Sequence, residues 1–567
     1  MMKGIAASQG IAIAKVYKLE QPVIEIGLAV KSVEEELAIL EKAMVKTVSD
    51  IEMIKAVASK SLKEEELEIF DAHLMMVNDP EYRTSIEASI RQGGVSAAGA
   101  TKNVSDMMVG MFESMDDEYM KARAADIRDV SFRLLCNILG KEIPNLATLQ
   151  EPVVIVAKDL TPSDTGSLNK EYAKGFVTEM GGRTSHSAIM ARSLEIPAVV
   201  GCGDLLSQVK NGDEIILDAI TGEIILHPTA EQIASYQEKL AIFQREKEEL
   251  KNLKDQASIT LDGHQVDLVG NIGSPADVQA VLDNGGEGVG LFRTEFLYMK
   301  SEDDFPSEEV QFSAYKQVLE AMQGRQVVIR TLDIGGDKKL NYYQFEEEMN
   351  PFLGVRAVRF CLMRKDIFRT QLRALLRASV YGKLAIMFPM IATVNEFREA
   401  KKLYDEIRAE LEQEGVKVGN VQVGIMIEIP AAAVNADQLA KEADFFSIGT
   451  NDLIQYTMAA DRMSQNVSYL YQPFNPSVLR LIKMAIDGAH SQGKWCGMCG
   501  EMAGDAQAAP VLLGLGLDEF SMSAVSILAT RKVINGLNYE AMKKLANECV
   551  QLATAEEVKA HVEKVLG

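Results

Sequence analysis

The chain has 567 residues, 47% of them apolar, 25% charged, and a net charge of −23. That length and apolar content support about three or four domains with ample core material, and no apolar run approaches the ~20 residues of a membrane span. The acidic balance argues against nucleic acid and anionic membranes as partners and would suit a basic protein. The opening Met1-Met2-Lys3-Gly4-Ile5 lacks the apolar stretch and cleavage site of a signal peptide, and cysteines 136, 202, 361, 496, 499 and 549 show no disulfide framework. A reducing, cytoplasmic setting is therefore expected.

Residues 1–20 read as strand, with Ile5, Ile11, Ile13 and Val16 set among small residues. Ser32-Val33-Glu34-Glu35 is a capping-box pattern. Leu37, Leu40, Met44, Val48, Ile51 and Ile54 follow at steps of three and four, which predicts an amphipathic helix. Leu67, Phe70, Leu74 and Val77 repeat that spacing until Asn78-Asp79-Pro80 breaks it, and two further helices are predicted over about 95–115 and 118–139. Strands return at Val153-Val154-Ile155-Val156, so the helical block reads as an insertion into an α/β domain. Ile215-Ile216-Leu217 and Ile224-Ile225-Leu226, joined through Thr221-Gly222, predict a closing hairpin. Glu231 to Lys254 contains no Gly or Pro and reads as a stiff helical linker.

Within the α/β domain, Gly181-Gly182-Arg183-Thr184-Ser185-His186 runs into the helix-compatible Ser187-Ala188-Ile189-Met190-Ala191-Arg192. Glycines permit close backbone approach and hydroxyl residues cap helices. The imidazole is thus placed at a helix N-terminus, where a phosphoryl group is welcome and the ring is held neutral and nucleophilic. A lone histidine in such a loop could equally be a helix cap.

Beyond about residue 260, strands alternate with helices, near Val266–Asn271, Gly288–Arg293, Val327–Thr331, Leu384–Pro389, Val421–Glu428, Phe445–Gly449, Lys494–Cys499 and Glu519–Ser521. Eight such units predict a (β/α)8 barrel, whose sites lie at the C-terminal ends of the strands. Arg293 and Arg330 end two of them, Glu428 closes a third, and Asp452 follows a fourth. Two hard carboxylates beside polar backbone suit Mg2+ when substrate oxygens and water complete the shell. With Arg462 they describe a site for a small, multiply charged phosphorylated acid. The glycines of Gly285–Gly290 precede and enter a strand, so they do not form a dinucleotide loop. Trp495-Cys496-Gly497-Met498-Cys499 ends a strand instead of opening a helix, so it is not read as a redox motif. A protonated thiol at a barrel mouth is instead a candidate proton donor.

These residues together resemble the Enzyme I family of the bacterial sugar phosphotransferase system, the phosphoenolpyruvate–protein phosphotransferases. The matching segments are Ala157–Ser163, Gly181–His186, Gly288–Leu297, Arg330–Lys338, Phe445–Leu453, Gly497–Glu501 and Asp518–Ser523. The resemblance implies an α/β multidomain chain. Residues 1–20 and 143–230 would form a small swivelling phosphohistidine domain, 21–142 an inserted helical bundle, 231–259 a linker helix and 260–567 a TIM-type barrel. It implies that phosphoenolpyruvate phosphorylates His186, which then phosphorylates a histidine-containing phosphocarrier protein. Glu428 and Asp452 would hold Mg2+, while Arg293, Arg330, Asn451, Asp452 and Arg462, with Arg356 and Lys338, bind the substrate. Cys499 would protonate the enolate carbon, and Thr165 would orient the His186 ring. His73, Phe112, Tyr119 and Arg123 would lie on the docking surface for the carrier, and the barrel would mediate a homodimer.

The sequence departs from the family pattern at Gln9, Val355, Ile429 and Ile454. Two alternatives share the histidine and barrel: a relative of pyruvate phosphate dikinase or phosphoenolpyruvate synthase lacking its nucleotide domain, and a non-catalytic regulatory paralogue. Only 185 residues precede His186, and they carry no phosphate loop.

Overall fold

The computed structural model describes residues 2–566 apart from 21, 28, 60–63, 93, 115–117, 145, 147, 148, 162, 163, 166, 167, 183, 184, 302, 336–339, 341 and 463. The side chains of 64–66, 68, 118–123, 186, 189, 193 and 465 also lie outside that description. The chain divides into two compact units, Met1–Glu246 and Lys247–Gly567. Among the described residues no helix is long and apolar enough to cross a membrane.

In the first unit an eight-stranded sheet has the order β1-β8-β7-β3-β4-β5-β6-β2. Its strands are β1 (Met2–Lys3), β2 (Ile5–Ser8), β3 (Ile11–Leu19), β4 (Val153–Ala157), β5 (Ala173–Thr178), β6 (Ala198–Val200), β7 (Glu214–Asp218) and β8 (Glu223–Leu226). The expected hairpin is β7–β8, antiparallel with Leu217 opposite Ile224. Every residue of β4 is buried, because both faces of the sheet are covered. Val153, Ile155 and Ala157 pack with Ala188, Ala191 and Leu194, whereas Val154 and Val156 pack with Ile215, Leu217 and Ile224.

Between β3 and β4 the described residues form five α-helices: α1 (Val33–Ala58), α2 (Glu64–Val77), α3 (Pro80–Arg91), α4 (Ala97–Glu113) and α5 (Glu118–Leu139). The capping box of α1 forms in both directions: Glu35 N–H donates to Ser32 Oγ at 3.3 Å and Ser32 N–H to Glu35 Oε2 at 3.1 Å. Helix α3 was not expected from the sequence, which read Asn78-Asp79-Pro80 only as a stop. The same residues also start a helix. Asp79 Oδ1 accepts from Glu81 N–H at 2.7 Å, and Pro80 occupies the first position, where its missing N–H costs nothing. Tyr82, Ile86 and Ile90 then bury one stripe of α3.

Asp79→Ala should therefore lower stability by about 0.5–2 kcal/mol, the usual cost of losing such a cap. Denaturant unfolding of the full chain followed at far-UV wavelengths checks this, and an unchanged helical transition would refute it.

The second unit is a closed barrel of eight strands, each parallel to its neighbours. They are β9 (Asp267–Ile272), β10 (Val289–Arg293), β11 (Gln326–Arg330), β12 (Lys383–Phe388), β13 (Gln422–Ile427), β14 (Phe445–Ile448), β15 (Trp495–Met498) and β16 (Glu519–Met522). Every end falls within one residue of the sequence expectation. Successive strand side chains face opposite ways, and the core divides accordingly. Val327, Ile329, Val423, Ile425, Ile427, Phe446, Ile448, Cys496 and Met498 meet the surrounding helices. Leu291, Val328, Ala385, Met387, Met426, Phe445 and Cys499 fill the barrel interior, with Trp495 packed against them. Phe445 and Trp495 stack in that interior at 4.4 Å between centroids.

Glu519 is the anomaly of this interior. It is buried, its Oε1 has no hydrogen-bond partner among the described residues, and a Cβ on Gly497 would stand 2.9 Å from that atom. Burial, then Asp267 and Asp518, push its carboxyl up to about 8. A carboxyl that holds its proton more tightly when folded weakens the fold as pH rises from its unfolded value toward its folded one. The wild-type chain should thus lose stability between about pH 4.5, the ordinary value of a glutamate, and about pH 8, the value Glu519 takes when buried. Glu519→Gln should match it near pH 4 and melt several degrees higher near pH 8.5. Equal melting temperatures at both pH values would refute this.

Candidate active site

The alternation that packs the barrel also selects which polar side chains reach its mouth. On β11, Val328 faces inward, so Arg330 two residues later does too; on β13, Met426 is followed in the same way by Glu428. Phe445 and Ser447 share the inner face of β14, and Trp495, Gly497 and Cys499 that of β15. Arg293 is the last residue of β10, and Asn451 and Asp452 open the helix Thr450–Met458 directly after β14. The C-terminal ends of five strands thus bring together Arg293, Arg330, Glu428, Asn451, Asp452 and Cys499.

The four arginines differ in what they have left to offer. Arg330 is buried, with Nη2 donating to Glu295 Oε1 at 2.6 Å and Nη1 paired with Asp333 Oδ2 at 2.9 Å; its Nε has no partner. Arg356 is more fully committed. Its Nε and Nη2 donate to Asp333 at 2.9 and 3.1 Å, and its Nη1 and Nη2 to Asp452 at 3.2 and 3.1 Å. Nη1 also donates to Tyr456 Oη at 3.3 Å. Burial alone would lower both guanidinium pKa values. Glu295 and Asp333 for Arg330, and Asp333 and Asp452 for Arg356, outweigh it and hold both groups firmly charged. By contrast, the half-buried Arg293 and Arg462 make no side-chain hydrogen bond or ion pair with the described residues. The expectation that Arg356 grips a substrate meets a side chain whose donors are all spent on carboxylates and a phenol.

Glu428 is 1% exposed, and its Oε1 accepts from Met390 N–H at 2.6 Å. Burial, Asp452 and Asp333 push its carboxyl up to about 8, against the pull of Arg356 and Arg330. A divalent cation would relieve that crowding of like charge. Gly449 leaves room for the carboxylate, since a Cβ there would stand 3.1 Å from Glu428 Oε2. No group of three or more His, Cys, Asp or Glu among the described residues could cage a metal by itself. Glu428 and Asp452 are two hard carboxylates that a divalent cation could share with substrate and water. Asn451 Oδ1 accepts from Tyr471 Oη at 3.0 Å, which fixes the amide beside Asp452.

Cys499 is 4% exposed, and burial pushes its thiol up to about 11, so it carries its proton at neutral pH. Asn271 Nδ2 donates to the Cys499 carbonyl at 3.1 Å, and Ser521 Oγ donates to Asn271 Oδ1 at 2.6 Å. Cys496 faces the outer layer and is buried as a free thiol, as is every cysteine of the chain.

In the first unit His186 is the first residue of helix α6 (His186–Leu194), capped by Ser185, whose Oγ accepts from Ala188 N–H at 3.4 Å. The backbone expectation of a helix N-terminus is met; the His186 side chain lies outside the described residues. Gly181 has φ 106°, a conformation that favours glycine. Thr165 is buried and donates its hydroxyl to Thr161 C=O at 3.1 Å. Phe112 is half-buried on α4, where Met107 and Met111 are exposed. Tyr119 and Arg123 lie on α5 with side chains outside the description, and Lys338 lies outside it altogether.

His73 requires a correction. It was expected on an exposed docking face, but it is 1% exposed, with Nε2 3.6 Å from Asp126 and its ring edge-on to Phe70. It sits three residues after Phe70 and four before Val77, both buried, so the helical spacing itself places it in the apolar stripe. Sequence reasoning also gave no role to Asp333 or Glu295, although both lie in the quoted motifs. Their signal was an acidic residue two or three positions after a strand-end arginine.

Three family models match the chain: the PEP-utilising enzyme PEP-binding domain over residues 247–539, the N-terminal domain over 3–123 and the mobile domain over 149–222. A phosphoenolpyruvate-protein phosphotransferase of Staphylococcus carnosus is 57% identical over 99% of this chain and 98% of its own length. The protein of that name in Listeria monocytogenes is 58% identical over 99% of both. That of Staphylococcus aureus is 56% identical over 98% of both. With relatives this close spanning nearly every residue, the chain belongs to the phosphoenolpyruvate-protein phosphotransferase family of PEP-utilising enzymes.

Proposed function

We propose that the chain takes the phosphoryl group of phosphoenolpyruvate onto His186 and passes it to a histidine-containing phosphocarrier protein, the first step of phosphotransferase-system sugar uptake. The observation that carries this reading is the barrel mouth, where the uncommitted Arg293 ends one strand, other strand ends present paired carboxylates and a buried, protonated thiol, and the uncommitted Arg462 follows the helix that carries Asp452. That set matches a small acid carrying both a phosphate and a carboxylate, whose carbon must accept a proton.

Arg293 and Arg462 keep their donors for the substrate's anionic oxygens, and Asn451 adds an amide held in place by Tyr471. Arg330, pinned by Glu295 and Asp333, brings a fixed positive charge and an Nε–H with no partner among the described residues. Glu428 and Asp452 would hold Mg2+, which supplies charge neutralisation at the phosphate and at the developing enolate. As the phosphorus–oxygen bond breaks and a phosphorus–nitrogen bond forms to the His186 ring, the Cys499 thiol gives its proton to the methylene carbon, releasing pyruvate. The thiolate left behind recovers a proton from solvent before the next cycle. A helix N-terminus favours the phosphorylated ring, and Thr165 would orient that ring through its hydroxyl. Residues 1–20 and 143–230 would be the carrier domain and 231–259 the linker that lets it serve both partners. Phe112, on α4 with the exposed Met107 and Met111, would meet the phosphocarrier together with Tyr119 and Arg123. We read the enzyme as cytoplasmic and as a homodimer through the barrel.

The test is incubation with 32P-labelled phosphoenolpyruvate and Mg2+, without nucleotide. The label should enter the chain in an acid-labile, base-stable form and move to added phosphocarrier. Labelling that requires a nucleotide would place the chain with the dikinases instead, and label that never reaches the carrier would refute the transfer role.

Cys499→Ala separates the two halves of the chemistry. Pyruvate release should fall by ~10²–10⁴-fold, as expected for loss of a positioned acid. Exchange of phosphate between His186 and the phosphorylated carrier should continue near the wild-type rate. Unchanged pyruvate release would remove the thiol from the mechanism.

A further inference from the structure

Asp333 lies three residues beyond the end of β11 and is fully buried. Its Oδ1 accepts from Arg356 Nε at 2.9 Å, and its Oδ2 receives Arg356 Nη2 at 3.1 Å and Arg330 Nη1 at 2.9 Å. Arg330 continues to Glu295, just after β10, and Arg356 continues to Asp452, just after β14. One carboxylate therefore joins an ion-pair chain, Glu295–Arg330–Asp333–Arg356–Asp452, that links the ends of three strands. The backbone is shaped to bring these parts together. Gly335 has φ 111°, and a Cβ on it would stand 2.7 Å from Val355 O and 3.0 Å from Arg356 Cα. Ala357 N–H donates to Ile334 C=O at 3.0 Å, closing the segment that carries Arg356 against the turn that carries Asp333.

We infer that Asp333 is a positioning residue that orients both buried arginines and, by sharing Arg356, keeps the Asp452 carboxylate available to a divalent cation. The inference rests on the reading of Asp452 as a cation ligand. With two bidentate partners, the Arg356 guanidinium divides its attraction between two aspartates. Without the charge of Asp333, its remaining anionic partner at hydrogen-bond distance among the described residues is Asp452. A buried guanidinium paired with that carboxylate alone then competes with the cation for the same oxygens. Arg330 loses one of its two anchors at the same time. Arg356 thus acts on the reaction through Asp452.

The experiment compares the full-length wild-type chain with D333N, which keeps the shape and removes the charge. Mn2+ binding is measured by electron spin resonance without substrate, KM and kcat are measured for pyruvate release, and each protein is melted. D333N should weaken Mn2+ binding at least tenfold and raise the KM for phosphoenolpyruvate at least tenfold. D333E, which restores the charge, should recover part of both losses. Mn2+ affinity and KM within twofold of wild type would overturn the inference. So would a lower melting temperature with a smaller active fraction and unchanged Mn2+ affinity and KM, the signature of a merely structural carboxylate. Should D333N fail to fold, R356K carries the converse expectation: a less committed partner frees Asp452, so Mn2+ should bind at least as tightly as to wild type. Weaker binding by R356K would overturn the inference. Because Mn2+ binding is read without turnover, this arm decides the role of Asp333 even if the chain proves unable to use phosphoenolpyruvate.

Discussion

The alternation of side chains along eight parallel strands is the constraint on which the rest of this structure depends. Closing those strands into a barrel leaves each residue only two destinations, the helix layer or the interior. A slip of one residue on β11 would send Ile329 inward and Arg330 into the apolar outer layer. The same slip on β13 would exchange Ile427 with Glu428. Register is held by the many large apolar side chains of the outer layer, including Phe292, Phe368, Phe388 and Phe397. The position of a guanidinium or carboxylate at the mouth is thus secured by hydrophobic packing elsewhere on its strand.

Charge at that mouth is arranged with little solvent to screen it. Glu295, Asp333, Glu428 and Asp452 are all buried with Arg330 and Arg356. Buried ion pairs of this kind add little net stability, because desolvation offsets their attraction, but removing one partner costs about 3–5 kcal/mol. They are better understood as geometry than as glue. The arginines tied into the chain of ion pairs hold strand ends and carboxylates in place, while Arg293 and Arg462 make no side-chain hydrogen bond or ion pair with the described residues. Burial first, and then the neighbouring Asp452 and Asp333, raise the Glu428 carboxyl. Three of the four departures from the family pattern, Val355, Ile429 and Ile454, lie within two residues of Arg356, Glu428 and Asp452 in the sequence. Val355 gives its N–H to Glu348 at 3.0 Å, and Ile454 is buried in the barrel's outer core. Neither takes part in the ion-pair chain.

The first unit shows how local signals and packing can disagree. The capping box at Ser32 formed as its residues dictate, because both of its hydrogen bonds are made within four residues. Asn78-Asp79-Pro80 was ambiguous, since a helix stop and a helix start use the same chemistry. Only the burial of Tyr82, Ile86 and Ile90 against the neighbouring helices decides for a start. His73 carried a legible signal that composition obscured: an ionisable residue suggests a surface, whereas its spacing from Phe70 and Val77 places it inside.

The sequence by itself determined the eight barrel strands, the α/β sheet interrupted by helices, the helix that begins at His186, and the residues with chemical potential at strand ends. These follow from periods of 2.0 and 3.6 and from capping residues, all of which act over a few positions. The tertiary structure alone decided which charges are spent and which are free. Nothing local distinguishes Arg356, saturated by Asp333 and Asp452, from Arg293, which retains its donors. The contacts that separate them join residues as far apart as 356 and 452. Such pairings exist only once the barrel has closed, because closure brings strand ends from distant parts of the chain within hydrogen-bonding distance.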